Sequence, residues 1–242
     1  MSSWSGEGAS NASRMPSDVR DSVERGWREV AAIDGALERG EIDEKGWHAA
    51  VAEIVVPAYL SAETPWEQSG KSGDLAAWER GRRPIMAAVD RDGAFLDVGC
   101  ANGFLMESVR RWGAENGREV EPYGLEISPE LSALARRRLP EWADRIFVGN
   151  ASEWLPRRRF DFVRTGLDYA PPTRRRGLVE HLLENVVAPG GRLIVGVFNE
   201  EKEERRTEEH VASWGFEIAG RVDAEHRDPR VAYRVFWLDA ED

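Results

Sequence analysis

The amino-acid sequence predicts an α/β fold: a doubly wound, seven-stranded sheet, mostly parallel with its last strand antiparallel, behind a helical N-terminal cap. Three observations lead there. From residue 93 onward, short apolar runs alternate with segments of helical spacing, the pattern of a parallel sheet wrapped by helices on both faces. Runs such as AFLDVG (94–99) and RLIVGVF (192–198) are nearly continuous in apolar residues, as strands covered on both sides require. The last two runs, FEIAGRV (216–222) and AYRVFWL (232–238), are joined by about nine residues, too few for a helical crossover, so they pair as an antiparallel hairpin.

The elements follow in order. Residues 1–16 are rich in Ser, Gly, Asn and Ala without periodicity and read as a disordered tail. Apolar residues at Val19, Val23, Trp27, Val30 and Ile33 predict a helix over 17–39, with Ser17 as N-cap and Gly40 as stop. A second helix spans 42–60, with Ile42, Trp47, Val51, Ile54 and Val55 on one side; a turn-rich linker (61–74) and a third helix, about 75–90, follow. After the strand at 94–99 comes a helix marked by Leu105, Val109 and Trp112. The strand PYGLEI (122–127) runs into Ser128 as N-cap, Pro129 in the first turn and Glu130, a strong helix start. RIFVGN (145–150) and FDFVRTG (160–166) are the third and fourth strands, and Leu178, Leu182 and Val186 mark a helix over 173–187. Pro189-Gly190-Gly191 is a turn into the strand at 192–198. The expected organisation is a tail (1–16), a helical cap with a lid segment (17–92) and a main ligand-binding domain (93–242).

Composition narrows the class of function. The chain has 242 residues, enough for one large domain or one domain with a cap, and enough to bury a core without disulfides. Its 33 basic and 44 acidic residues give a net charge of −11, which argues against broad binding to nucleic acid or anionic membrane. The single cysteine, Cys100, permits no intrachain disulfide and fits a reducing compartment. No apolar run approaches the length of a membrane span, and the first residues lack the apolar stretch of a signal peptide, so a cytoplasmic protein is expected.

In an open α/β sheet, ligands bind outside the carboxyl ends of the strands. The first strand ends in Asp97-Val98-Gly99-Cys100-Ala101-Asn102-Gly103, where small residues at 99, 101 and 103 let the backbone turn sharply and approach a ligand, or simply turn tightly into a helix. The second strand ends in Glu126, 23 residues after Gly103, where a carboxylate can accept hydrogen bonds from both hydroxyls of a ribose. Together the two point to an adenosine-containing cofactor. A dinucleotide requires G-x-G-x-x-G, but Ala101 and Phe104 stand at its second and third positions, and Phe104 obstructs close helix–strand packing there. No G-x-x-x-x-G-K-[ST] loop exists. A cofactor with ribose and adenine but no phosphate fits best.

These residues resemble the ordered motifs of the class I S-adenosyl-L-methionine (SAM)-dependent methyltransferases. FLDVGCANG is similar to their first motif, GLEISPE to the second, VGNA to the third, RFDFVRTG to the fourth, and the Pro-Gly-Gly segment before LIVGVF to the fifth. The set spans about residues 93–200, nearly half of the chain. The resemblance implies that Gly99, Ala101 and Gly103 line the methionine and ribose part of SAM, with Asp97 supporting the loop. It implies that Glu126 holds the ribose hydroxyls, Ile127 packs on the adenine face, Asn150 and Ala151 meet the adenine edge, and Thr165 faces the cofactor. Two positions depart from the pattern. Ala101 stands for the middle glycine, and Asn150 for the usual aspartate, although an amide oxygen still accepts from the adenine amino group.

Methyl transfer from a sulfonium needs a nucleophile held in line at about 3 to 3.5 Å, and a base only where the acceptor is protonated. Asp168 and Tyr169, in TGLDYAPP, follow the fourth strand and are the catalytic candidates; Asp168 either orients or deprotonates the acceptor or opens the Pro-Pro turn. His48 either faces the acceptor pocket or is a plain helix position, and His181, His210 and His226 read as structural or solvated. Cys100 reads as packing beside the loop, and no set of residues has metal-ligand spacing. The segment Gln68–Asp74, with Trp78 after it, is either a lid over the cofactor or a linker. Trp27, Trp47, Trp66 and Trp78 either line an aromatic acceptor pocket or pack the cap.

The triplets Arg136–Arg138, Arg157–Arg159 and Arg174–Arg176 give residues 136–176 a local charge of +6: an RNA-binding face or solvated helix ends. The expectation is a SAM-dependent methyltransferase acting on a small-molecule acceptor, with no membrane and no metal. The alternatives are an RNA methyltransferase, which requires the triplets to form one face, and a non-catalytic SAM-binding protein.

Overall fold

The computed structural model of the chain describes residues 29–70, 74–226 and 229–241. The expected tail at 1–16, and Ser17 and Trp27 of the first helix, lie outside them. The chain divides into two compact units, residues 1–47 and 48–242. In the first, residues 29–38 are helical (α1), and Gly40, at φ +72°, ends the turn after them. The Trp47 indole N–H donates to the Asp34 carboxylate at 2.8 Å. Helix α2 (Glu44–Ser61) begins in this unit.

The second unit contains a seven-stranded sheet in the order β3-β2-β1-β4-β5-β7-β6. Its strands are β1 (Gly93–Val98), β2 (Val120–Glu126), β3 (Ile146–Val148), β4 (Phe160–Thr165), β5 (Val187–Glu201), β6 (Gly220–Glu225) and β7 (Val231–Asp239). The pairings from β3 to β5 are parallel, and β7 runs antiparallel to both β5 and β6. The helices are α3 (Leu75–Arg82), α4 (Phe104–Glu115), α5 (Pro129–Arg138), α6 (Arg175–Asn185) and α7 (Arg206–Ser213). Helix α5 starts as its sequence requires: Pro129 occupies the first turn and the Ser128 hydroxyl accepts from the Leu131 N–H.

Strand alternation sorts the core into two layers. Leu96, Val98, Val163, Leu193 and Val195 pack with Leu178, Val179 and Leu182 of α6. Phe95, Phe162, Ile194 and Val235 pack on the other face with Trp78, Leu105, Val109 and Trp112. The order of the strands reverses direction at β1, which lies between β2 and β4, the kind of switch point at whose carboxyl ends open α/β sheets bind ligands.

Five elements differ from the sequence expectation. The helix expected at 75–90 stops at Arg82 and continues as a 3-10 turn over Arg83–Ala87, because Pro84 supplies no N–H. The third strand ends at Val148, because the Asn150 side-chain oxygen accepts from the Ser152 N–H and starts a turn. Pro189-Gly190-Gly191 lies inside β5 as an irregularity: Val187 pairs with Phe160, and the ladder resumes at Arg192 and Phe162. The sixth strand is Gly220–Glu225 rather than 216–222; Phe216 and Ile218 pack against the core without joining the ladder, and register begins with Gly220 opposite Trp237. Helix α7 has no counterpart in the sequence reading. Its stretch is mostly charged, and its anchor is the fully buried Val211, with Glu208 held by Arg205 and Arg221.

Candidate functional site

The loop leaving β1 has an unusual backbone. Gly99 (φ +72°), Ala101 (φ +48°) and Gly103 (φ +77°) all adopt left-handed backbone, and Ala101 is the residue for which this costs most. A Cβ on Gly99 would stand 2.7 Å from the Tyr169 ring, and one on Gly103 would stand 2.6 Å from Leu139. Gly99 is therefore required by the turn and by Tyr169, and Gly103 by the contact with the end of α5. The amide of Ala101 turns inward and donates to one oxygen of Glu126 at 2.8 Å, while the Ser128 N–H donates to the other at 2.9 Å.

Glu126 is 6% exposed. Burial raises its pKa, and the backbone N–H groups of Ser128 and Ala101 oppose that shift. The Ile127 N–H adds to these two, and a carboxylate with about four acceptor positions keeps capacity after three such bonds. Around it stand the other residues the sequence singled out. The Gly149 N–H donates to the Glu126 carbonyl, bringing Asn150 and Ala151 to the same edge. Ile127 is 42% exposed, an apolar side chain left open beside a buried carboxylate. The Asn150 amide nitrogen lies 3.3 Å from Nε2 of His48 on α2, so His48 faces this edge.

The loop also holds the segment upstream of α3. Asn102 is fully buried; its amide donates to the Pro65 carbonyl at 2.8 Å and to Gln68 Oε1 at 3.2 Å, and its own oxygen accepts from the Phe104 N–H. Residues 65–68 are thus bonded to the middle of the motif loop. Trp78 and Trp66 lie against Phe104, with ring centroids 4.5 and 6.5 Å away, and Trp78 donates to the Ser69 hydroxyl: they pack the fold.

A second polar group lies across β1 and β4. Asp97 and Arg164 are buried and paired at 3.2 Å, and the same guanidinium donates to the Tyr169 hydroxyl at 2.8 Å. Burial raises the Asp97 pKa to about 6, against the opposing charge of Arg164. Burial likewise raises the Tyr169 phenol above its ordinary range, so it stays protonated at neutral pH. Asp168 is exposed, and Thr165 is fully buried with its hydroxyl donating to the Gly166 carbonyl. Burial and the negative charge of Asp168 push the Tyr59 phenol of α2 up to about 12.

The carboxyl ends of β1 to β3 thus carry Asp97, Gly99, Ala101, Glu126, Ile127, Asn150 and Ala151, and the end of β4 carries Thr165, Asp168 and Tyr169. Sequence reasoning missed Arg164, Arg82, Tyr59, Asn102 and His48's partner. Arg164 had a signal: a charge within an apolar run of a buried strand must be paired. Of the remaining histidines, His181 Nε2 lies 2.9 Å from the Trp154 carbonyl, His210 lies tilted against the Trp214 ring, and His226 lies edge-on to Tyr233. Cys100 is buried among Met106 and Gly124, its thiol pushed well above its usual range by burial.

No protein-family model matches the chain, and no curated protein matches it in sequence. Solved structures do match in fold. One is the 1,6-didemethyltoxoflavin-N1-methyltransferase of Burkholderia thailandensis, in complex with 1,6-didemethyltoxoflavin and S-adenosylhomocysteine, at TM-score 0.59 and 19% identity over 83% of this chain and 92% of that one. Another is the N-methyltransferase NodS of Bradyrhizobium japonicum with S-adenosylhomocysteine, at TM-score 0.54 and 15% identity over 91% and 99% of the two chains. A third is the [4+2]-cyclase SpnF, at TM-score 0.57 and 15% identity over 82% and 94%. At such identities the likeness is one of architecture: this chain has the class I SAM-dependent methyltransferase fold.

Proposed function

We propose that the protein is a SAM-dependent methyltransferase acting on a small-molecule acceptor. The observation that carries the reading is Glu126. It is a buried carboxylate at the end of the second strand, fixed by backbone N–H groups yet keeping acceptor capacity, beside the exposed Ile127. That donor set suits a ribose diol with an adenine ring next to it, and no P-loop or dinucleotide fingerprint stands nearby to hold phosphates. Glu126 binds the ribose, Ile127 covers the adenine, and Asn150 with Ala151 meets its edge. Gly99, Ala101 and Gly103 shape the floor, with Asp97 and Thr165 beneath the amino-acid end. SAM supplies an activated methyl group; the protein supplies alignment and water exclusion.

Of the lid segment Gln68–Asp74, residues 71–73 lie outside the described residues, and Gln68 is bonded to Asn102 together with the preceding Pro65. Asp168, exposed at the β4 side, is the group available to orient an acceptor or take its proton. Tyr169, accepting from Arg164, positions the loop instead. The part of α2 from His48 onward, with His48 and Tyr59, shapes the acceptor side.

A small acceptor is favoured over RNA by the arginine triplets. Arg157–Arg159 precede β4 and Arg174–Arg176 follow it, so a strand of 6 residues separates them, about 20 Å of sheet. Several are occupied: Arg138 donates to the Asn102 carbonyl and pairs with Glu107, Arg158 donates to the Tyr123 hydroxyl, and Arg176 pairs with Glu180. The likeness to a [4+2]-cyclase keeps a second reading in view, in which the fold holds the cofactor but transfers no methyl group. Incubation with methyl-labelled SAM and a cell extract separates them. Label in the low-molecular-weight fraction is expected; label in RNA alone, or none despite cofactor binding, overturns the small-molecule reading. Among the described residues, no helix is long and apolar enough to cross a membrane.

A further inference from the structure

We propose that Arg82 is the recognition residue for a carboxylate on the acceptor, so that the substrate is a small carboxylic acid. The proposal rests on the methyltransferase reading above. Arg82 ends α3 and is 9% exposed, yet among the described residues its guanidinium makes no hydrogen bond and no ion pair. Its surroundings are aromatic: the guanidinium carbon lies 4.2 Å from the Phe198 ring centre and 5.5 Å from that of Trp78. A guanidinium nine-tenths covered by aromatic walls, with no acceptor among the described residues and nitrogens that still reach solvent, holds its donors open to a ligand.

The neighbouring charges do not supply an acceptor. Asp97, the buried carboxylate on this face, is already taken by Arg164. Asp168 is exposed and forms no ion pair with Arg82. The second guanidinium adds to the positive field: burial, and then the charge of Arg164, lower the Arg82 pKa to about 10. Space for both side chains comes from β5, where a Cβ on Gly196 would stand 2.9 Å from Phe198 and 3.6 Å from the Arg164 guanidinium. Asp97 is spent on Arg164 and Asp168 acts only at a distance, so Arg82 is left without a directly bonded acceptor.

Its position favours the acceptor over the cofactor. Arg82 lies over β5 through Phe198, and the adjoining Gly81 lies against Tyr233 of β7, with a Cβ there 3.2 Å from the ring. In the sheet order, β5 is three strands from β2, which carries Glu126, a separation of about 14 Å. One planar guanidinium between aromatic walls matches the flat, bidentate carboxylate of a compact acid.

The test uses benzoate and its neutral isostere benzamide, titrated into the full-length protein saturated with S-adenosylhomocysteine and again without it. Benzoate is expected to bind at least about tenfold more tightly than benzamide, and Arg82→Met to remove that preference, as loss of a charged hydrogen bond implies. Arg82→Lys is expected to keep part of it. Arg82→Met should melt no lower than the parent, whereas a purely structural arginine would be missed. Equal affinity for acid and amide, or a preference unchanged in Arg82→Met, overturns the proposal. So does loss of S-adenosylhomocysteine affinity in Arg82→Met, which would assign the guanidinium to the cofactor. A parent that binds benzoate through Arg82 but never binds S-adenosylhomocysteine sinks the methyltransferase reading instead.

Discussion

Asp97 and Arg164 are side-by-side partners in the parallel pairing of β1 and β4, and their side chains meet as a buried ion pair at 3.2 Å. Register alone brings them together, because partners on adjacent parallel strands point to the same face. The Asp97 pKa is nevertheless raised to about 6. In the unfolded chain it lies near its ordinary value of roughly 3.9. Between those values the native state binds more protons, so stability falls as pH rises through this window, by on the order of 3 kcal/mol for this group. Asp97→Asn should flatten that slope in denaturant unfolding measured across the window. A slope unchanged in the variant contradicts the assignment.

Glu126 leads to a pH dependence of opposite sense in binding. Burial raises its pKa, and protonation would remove acceptor capacity from the proposed ribose contact. Affinity for S-adenosylhomocysteine should therefore weaken as pH falls from about 8 to about 5, and Glu126→Gln should be weaker throughout and nearly flat over that range. A parent profile that is flat in calorimetry removes Glu126 from the contact.

Ala101 stores strain that glycine would release. Its left-handed backbone, at φ +48°, costs a non-glycine residue roughly 1–2 kcal/mol. Glycine gives back about 0.4–1 kcal/mol through the greater freedom of the unfolded chain. Ala101→Gly should thus be neutral to about 1 kcal/mol more stable. Chemical denaturation reads the sign, and a clear loss of stability means the alanine methyl does packing that outweighs its strain.

Asn102 ties the lid segment to the loop through Pro65 and Gln68. Asn102→Ala should speed deuterium exchange across residues 62–70 and weaken S-adenosylhomocysteine by about tenfold, since a buried donor pair is lost. Unchanged exchange in that segment means the bonds do not hold it.

Tyr169 donates nothing to chemistry if its role is to receive Arg164's hydrogen bond at 2.8 Å. Tyr169→Phe should cost about 1 kcal/mol of stability and leave kcat within about threefold of the parent, while Asp168→Asn lowers kcat by about a hundredfold, as loss of a proton acceptor does. The reverse ranking exchanges their roles.

Much of this was readable from residues alone, and the physical reason is locality. Strand runs, the Ser128–Pro129 helix start and the Gly99–Gly103 turn are dictated by side chains within a few positions, so their pattern survives in sequence. The candidate residues at the ends of β1 to β4 follow from those elements. The failures are long-range. Helix α7 depends on one buried valine and on a carboxylate held by arginines up to 13 residues away, and nothing in its charged run announces that. The sixth strand was misplaced because Phe216 and Ile218 look like strand residues, but the hairpin register with Trp237 decides which residues join the ladder. Arg82 and Asn102 acquire meaning only when β5 and residues 65–68 come to lie beside them.

The most direct measurement is isothermal calorimetry of S-adenosylhomocysteine with the parent protein and with Glu126→Gln. The account predicts one site in the parent and an affinity at least about tenfold weaker in the variant, the loss expected for hydrogen bonds to a charged acceptor, with the fold intact by circular dichroism. Equal affinity in both, or no binding to the parent, contradicts it.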